Sequence, residues 1–148
     1  MNQFRLDLDA TRCAQAHQDA HCGKMLLELT QQLCTAFPVP SKTWKLQSTD
    51  SIKRADKFFR KLTTDERLYL NLLPYARTKA QYNNPVCVWT RATRANFDST
   101  IELARALAVE FRHRFGKPHG SEAALDWVVR SAGVVLNESE TARQTTAA

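Results

Sequence analysis

The chain has 148 residues, the size of one domain, and its 43% hydrophobic and 24% charged residues exclude a disordered polymer. No run approaches the ~18 apolar residues of a membrane span, and Met1–Ala10 lacks the basic-then-apolar pattern of a signal peptide, so a cytoplasmic protein is expected. A net charge of +6 favours anionic partners such as nucleic acid, nucleotides or anionic lipid.

Only four glycines and five prolines punctuate the chain, which predicts an all-α fold: a single compact bundle of about five helices, two of them long, over residues 1–136. Phe4, Leu6 and Leu8 alternate with Arg5 and Asp7 and predict a short extended N-terminus. Asp9 is the expected N-cap of a long helix from Ala10 to Phe37, stopped by Pro38 and Pro40. A loop carrying Trp44 follows, then a basic helix over Ser51–Leu62. Thr63 and Glu66 have capping-box spacing and open a helix to about Leu73. A polar loop holds Arg77, Lys79 and Tyr82. Asn84 before Pro85 reads as N-cap and first helical residue of a second long helix, closed at Phe115 by Gly116. Ser121 is the expected cap of a last helix to Ala132, and the small, polar residues 137–148 predict a disordered tail.

Charge is concentrated. Lys42, Lys45, Lys53, Arg54, Lys57, Arg60 and Lys61 stand against only Asp50 and Asp56 in one window. With Trp44, Tyr82, Arg91, Arg94, Lys117 and His119 they suggest a surface that tracks phosphates and stacks on bases; the simpler alternative is a solvated face. Cys13, Cys22, Cys34 and Cys87 show no CxxC spacing, so zinc is not expected and the four read as reduced thiols.

The first long helix carries an ionisable stripe. At ~100° per residue His17, His21, Lys24 and Glu28 fall within about 60° of one another. Ala20, Leu27 and Cys34 flank it on one side, Met25 and Leu29 on the other, which predicts a cleft-lining or half-buried position. Burial lowers the pKa of Lys and His and raises that of Glu, a setting for acid–base or amine chemistry. The competing reading is a structural polar network. His17 and His21 have metal-ligand spacing, but no further ligands complete a site, and no metal or cofactor is expected. On the second long helix Trp89, Asn96, Leu103, Leu107, Glu110 and Arg114 form one seam. Asn96, Glu110 and Arg114 there need polar partners, which the first stripe is positioned to supply.

The run Ala16-His17-x-Asp19-x-His21-x-x-Lys24-Met25-x-Leu27-Glu28 is one half of a pattern. The other is Asn84-Pro85-x-x-x-Trp89-x-Arg91-x-x-x-x-Asn96, followed by Leu103, Glu110, Arg114 and Gly116-Lys117-x-His119. Together they resemble a family of small, largely uncharacterised bacteriophage proteins, itself distantly similar to phage pyrimidine-dimer DNA glycosylases of the endonuclease V type. The match covers roughly residues 1–37 and 83–130; the basic middle is unmatched. The resemblance implies a compact helical enzyme that cleaves a glycosidic bond in DNA and nicks the strand through an imine, assisted by a carboxylate on its first long helix. His17 occupies the matching early position. The carboxylate position falls on Lys24, with Glu28 one turn further, and Asn2 is large enough to leave Met1 in place where the family uses an amine exposed by its removal.

The expectation is therefore a DNA-binding, base-processing enzyme, a glycosylase or glycosylase/lyase for modified or damaged pyrimidines. Lys24 would act on C1′, Glu28 would balance charge, and His17 and His21 would orient sugar or phosphate. The alternatives are a phage base-modification transferase and a non-catalytic nucleic-acid or host-protein binder.

Overall fold

The computed structural model describes residues 1–37, 62–75 and 79–132, and among these it is all-helical, with no strand. The helices are α1 (Ala10–Ala16), α2 (Asp19–Cys34), α3 (Thr64–Tyr69), α4 (Lys79–Asn83), α5 (Pro85–Ala92), α6 (Arg94–Phe115) and α7, residues 122–132. Residues 1–7, expected to be extended, carry no regular secondary structure. The expected basic helix over Ser51–Leu62 lies almost wholly outside the described residues. So do Lys42, Trp44, Lys45, Lys53, Arg54, Lys57, Arg60 and Lys61, the Arg77 position and the tail.

The helix α6 is the axis. Phe97, Thr100, Leu103, Ala104, Leu107 and Ala108 recur at helical spacing and are buried. Against them pack Cys22, Met25, Leu26, Leu29 and Leu33 of α2, with Cys13 and Ala14 of α1 and Leu125 and Val128 of α7 completing one core. At Gly23 α2 passes the Phe111 ring, where a Cβ would stand at an ordinary contact distance of 3.4 Å. Phe37 bridges the far end, 6.1 Å from Phe97 and 5.5 Å from Trp127 between ring centroids.

The local caps match the sequence reading. Asp9 accepts from Arg12 N–H, Asn84 accepts from Val86 N–H ahead of Pro85, and Thr63 and Glu66 form a reciprocal capping box. Gly116 closes α6 in the left-handed region at φ 68°.

Both expected long helices are broken. The first is interrupted at His17 and Gln18, which adopt extended backbone with ψ of 141° and 156°. The reason is Arg114. Its guanidinium donates to the carbonyls of Ala14 (3.4 Å), Gln15 (2.9 Å) and His17 (2.6 Å), and to Asp19 Oδ1 (3.0 Å). Those acceptors are the end of α1 and the start of α2, so a distant cation satisfies the carbonyls that a continuous helix would have used. Glu110 holds the guanidinium from behind at 2.8 Å. The second helix is interrupted at Thr93 (φ −138°, ψ 156°), whose hydroxyl caps Asn96 N–H at 3.0 Å, while Asn96 Nδ2 donates to the Trp89 carbonyl at 2.8 Å. Two smaller corrections follow from local geometry. Asn71 turns at φ 56°, so α3 ends at Tyr69 rather than near Leu73. Lys79–Asn83 is helical rather than a loop. Ser121 stands directly before α7 as expected, its carbonyl accepting from Leu125 N–H at 2.9 Å, while its hydroxyl meets the Tyr75 hydroxyl at 2.8 Å.

Replacing Arg114 by Ala removes a cation from five acceptors and strands Glu110. Chemical denaturation should show a loss of about 2–4 kcal/mol. Arg114→Lys should recover only a minor part, because one ammonium cannot span the fork.

Candidate active site

The site is built on the exposed edge of α2, where the first five residues of the chain are laid along it. Four tethers hold that segment. Gln3 Nε2 lies 3.0 Å from Gln32 Oε1, 2.9 Å from Thr100 Oγ1 and 3.3 Å from Thr90 Oγ1, joining α2, α5 and α6. Gln32 Nε2 donates to the Asn2 carbonyl at 2.7 Å. The Cys13 thiol donates to the Phe4 carbonyl at 3.1 Å and accepts from Leu6 N–H at 3.3 Å. Cys87 Sγ sits 3.5 Å from Met1 Sδ. Gln32, Thr90 and Thr100 are all fully buried, so this is a satisfied internal network in a place where chain termini usually fray.

The tethered segment covers one side of the predicted stripe. Phe4 stacks against His21 at 5.1 Å between centroids and reaches His17 at 6.1 Å. Asn2 N–H points at Glu28 Oε2 at 3.4 Å. His21 and Glu28 are half-buried beneath it, and Lys24 between them is exposed. Lys24 has no hydrogen bond or ion pair among the described residues.

The stripe expected from a single helix is thus divided. Lys24 and Glu28 remain one turn apart on α2, with His21 a turn earlier, as spacing predicts. His17 does not join them on that helix, because the break turns it inward. It is 3% exposed, its Nδ1 pairs with the Cys13 carbonyl at 2.7 Å, and its enclosed Nε2 has no hydrogen-bond partner among the described residues. The expected apolar flank of Ala20 and Leu27 faces solvent, since α2 turns Cys22, Met25, Leu26 and Leu29 to α6 instead. The stripe therefore borders water on one side and the tethered N-terminus on the other. The described groove of about 730 Å³ lies elsewhere, between α1 and α6, lined by Gln15, Arg105, Val109 and His113.

The supporting residues serve the frame. Glu110 and Arg114 hold the α1–α2 break, and Asn96 holds the α5–α6 break. Their partners are chiefly backbone carbonyls near the breaks, not Lys24 or Glu28. Of the expected nucleic-acid contacts, Arg91 lies over the Tyr82 ring at 3.8 Å and donates to the Tyr82 carbonyl at 2.6 Å. Arg94 pairs with Asp98 at 3.0 Å, and Lys117 is exposed. His119 stands edge-on to Phe111 at 4.7 Å and accepts from Ser121 N–H at 2.9 Å, an internal position behind Gly23. Burial pushes its pKa below the usual imidazole range, against opposing effects of a backbone hydrogen bond at Gly23 and the charge of Glu122.

Cys13, Cys22, Cys34 and Cys87 are buried thiols without disulfides. Burial pushes the Cys22 and Cys87 thiols up, away from nucleophilic character. Among the described residues no group of three His, Cys, Asp or Glu side chains is placed to hold a metal ion. No described helix is long and apolar enough to cross a membrane.

Sequence reasoning missed Gln3, Gln32, Arg5 and the outward position of Trp89. Their one signal was Gln32, a carboxamide between core positions Leu29 and Leu33. Comparison with protein-family models, curated proteins and solved structures finds no match, so the site is read from its own geometry.

Gln32→Leu should leave the Asn2 carbonyl without its partner and take one of three acceptors from the Gln3 amide, costing about 1–3 kcal/mol in denaturant unfolding. His119 has a depressed folded pKa, so the unfolded chain binds its proton first. Stability should fall as pH drops below about 6.5 towards the folded value, and His119→Gln should flatten that part of a pH–melting profile.

Proposed function

We propose that this protein is a DNA-binding, base-processing enzyme, a glycosylase or glycosylase/lyase acting on modified or damaged pyrimidines. The observation that carries this reading is the pairing of an exposed amine with a half-buried carboxylate one turn apart on α2. Lys24 faces solvent and has no partner among the described residues, and Glu28 accepts from the Asn2 N–H at 3.4 Å. An ordinary surface Lys–Glu pair would need no tethered segment beside it. Here Gln3 and Gln32 hold that segment through a buried network, which keeps the carboxylate in place without reorganisation at the moment of reaction.

The chemistry follows from the groups. Lys24 Nζ gives up its ammonium proton to water and forms a bond to C1′ through the freed lone pair, while the bond from C1′ to the base breaks. The base departs with the electron pair and takes up a proton. Glu28 balances the positive charge that develops on the sugar and accepts the proton that the nitrogen loses on forming the bond. Opening of the sugar ring at its C1′–oxygen bond, with the remaining N–H proton passing to the ring oxygen, then leaves an imine between Nζ and C1′. His21, half-buried against Phe4, stands one turn before Lys24 and is placed to contact the sugar or a phosphate. The net charge of +6 supplies the attraction for the backbone.

Borohydride should trap a covalent adduct between the protein and an oligonucleotide carrying an abasic site. Lys24→Ala should abolish trapping, and Glu28→Gln should slow it by ~10²–10⁴-fold while leaving binding unchanged. Absence of any adduct with the unaltered protein rejects the imine route. If salt-sensitive DNA binding persists in that case, the binding-protein reading takes its place. An adduct that survives Lys24→Ala moves the amine to another group.

A further inference from the structure

The short helix α5 presents an apolar face to solvent. Pro85, Val88, Trp89 and Ala92 recur at one helical spacing and all are exposed, Trp89 by 42% and Val88 by 44%. The opposite face is buried through Cys87 and Thr90, so the outward turn of the indole is set by packing and not by fraying. Two further contacts fix it. Asn96 Nδ2 holds the Trp89 carbonyl at 2.8 Å, and the Arg5 guanidinium lies 5.9 Å from the indole centroid. Arg5 is itself aimed by Gln3, whose Oε1 accepts from Arg5 Nε and Nη2 at 3.1 and 2.7 Å. Gln3 is the residue tethered to Gln32, and its neighbour Asn2 meets Glu28. The indole is therefore joined to the Lys24–Glu28 pair through one short, immobilised run of chain.

From this arrangement we infer that Trp89 and Arg5 form a stacking platform for an unpaired base of single-stranded or locally opened DNA. The indole face takes the base, and Arg5 takes the adjoining phosphate. The inference rests on the reading of the protein as a DNA-processing enzyme and deepens it by naming where the extruded nucleotide or its neighbour is held.

Charge and size select this occupant. Helix α5 carries no carboxylate and Arg5 is the one charged side chain of residues 1–6, so neither segment supplies an acid to neutralise the cation beside the indole. An indole beside a guanidinium suits a π-face with a phosphate attached, since base stacking tolerates any base and the cation neutralises the backbone. A helix of eight residues spans about 12 Å. A patch of that length is on the scale of a flat base and its attached phosphate.

The test uses the full chain with a fluorescein-labelled oligothymidylate, read by anisotropy, beside borohydride trapping on the abasic oligonucleotide. Trp89→Ala should weaken binding by about 5- to 150-fold, with Trp89→Phe retaining most of it. Arg5→Ala should weaken binding and lower the salt slope by roughly one phosphate contact. Far-ultraviolet circular dichroism should be unchanged in each variant. Trp89-dependent binding without any trapped adduct supports the platform while rejecting the imine chemistry. Binding and trapping that are both untouched by Trp89→Ala overturn the platform and leave the chemistry standing. Failure of the unaltered protein to bind the oligonucleotide at low salt overturns it as well. So does a dimer that Trp89→Ala converts to monomer, which would assign this face to a second copy of the chain.

Discussion

One guanidinium decides how α1 and α2 are arranged. Arg114 leaves the last turn of α6 and donates to three backbone carbonyls and one carboxylate at the junction of α1 and α2, with Glu110 beside it. A helix end needs partners for its carbonyls, and here they come from another element rather than from a glycine or solvent. That contact permits the chain to leave helical geometry at His17, re-enter at Asp19 and pack both pieces on α6. It also sets the direction in which α2 presents its outer edge. The candidate chemistry on α2 is thus held from a residue that touches none of it.

What was legible in the sequence was local. Asp9, Asn84 with Pro85, Thr63 with Glu66, and Gly116 each act on backbone groups a few residues away, so spacing alone places them. The all-helical class followed from the scarcity of glycine and proline and from apolar periodicity. The break at His17 left no local mark, because its cause sits 97 residues further along the chain. The break at Thr93 did leave one. A threonine three residues before Asn96 is capping chemistry, overlooked because the apolar rhythm on either side runs nearly in phase.

The same distinction governs the site. Lys24 and Glu28 stay adjacent because they share an unbroken helix, whereas His17 was grouped with them by angular arithmetic carried across a kink. Gln3 and Gln32 carry no local motif, and only the fold brings them together with Thr90 and Thr100. Trp89 was expected in the apolar seam. The change of direction at Thr93 separates α5 from the register of α6, so the indole turns outward while Leu103 and Leu107 stay inside. The sequence thus announced the amine and the carboxylate, and tertiary structure supplied their setting.

The Gln3 carboxamide has a consequence for the order of folding. Its acceptors Thr90 and Thr100 lie 87 and 97 residues downstream, so residues 1–6 settle only once α5 and α6 are there to receive them. Such long-range closure is slow and cooperative. Until it is made, the edge of α2 that carries His21 and Glu28 lacks its contacts with Phe4 and Asn2, and that setting arrives in a single late event.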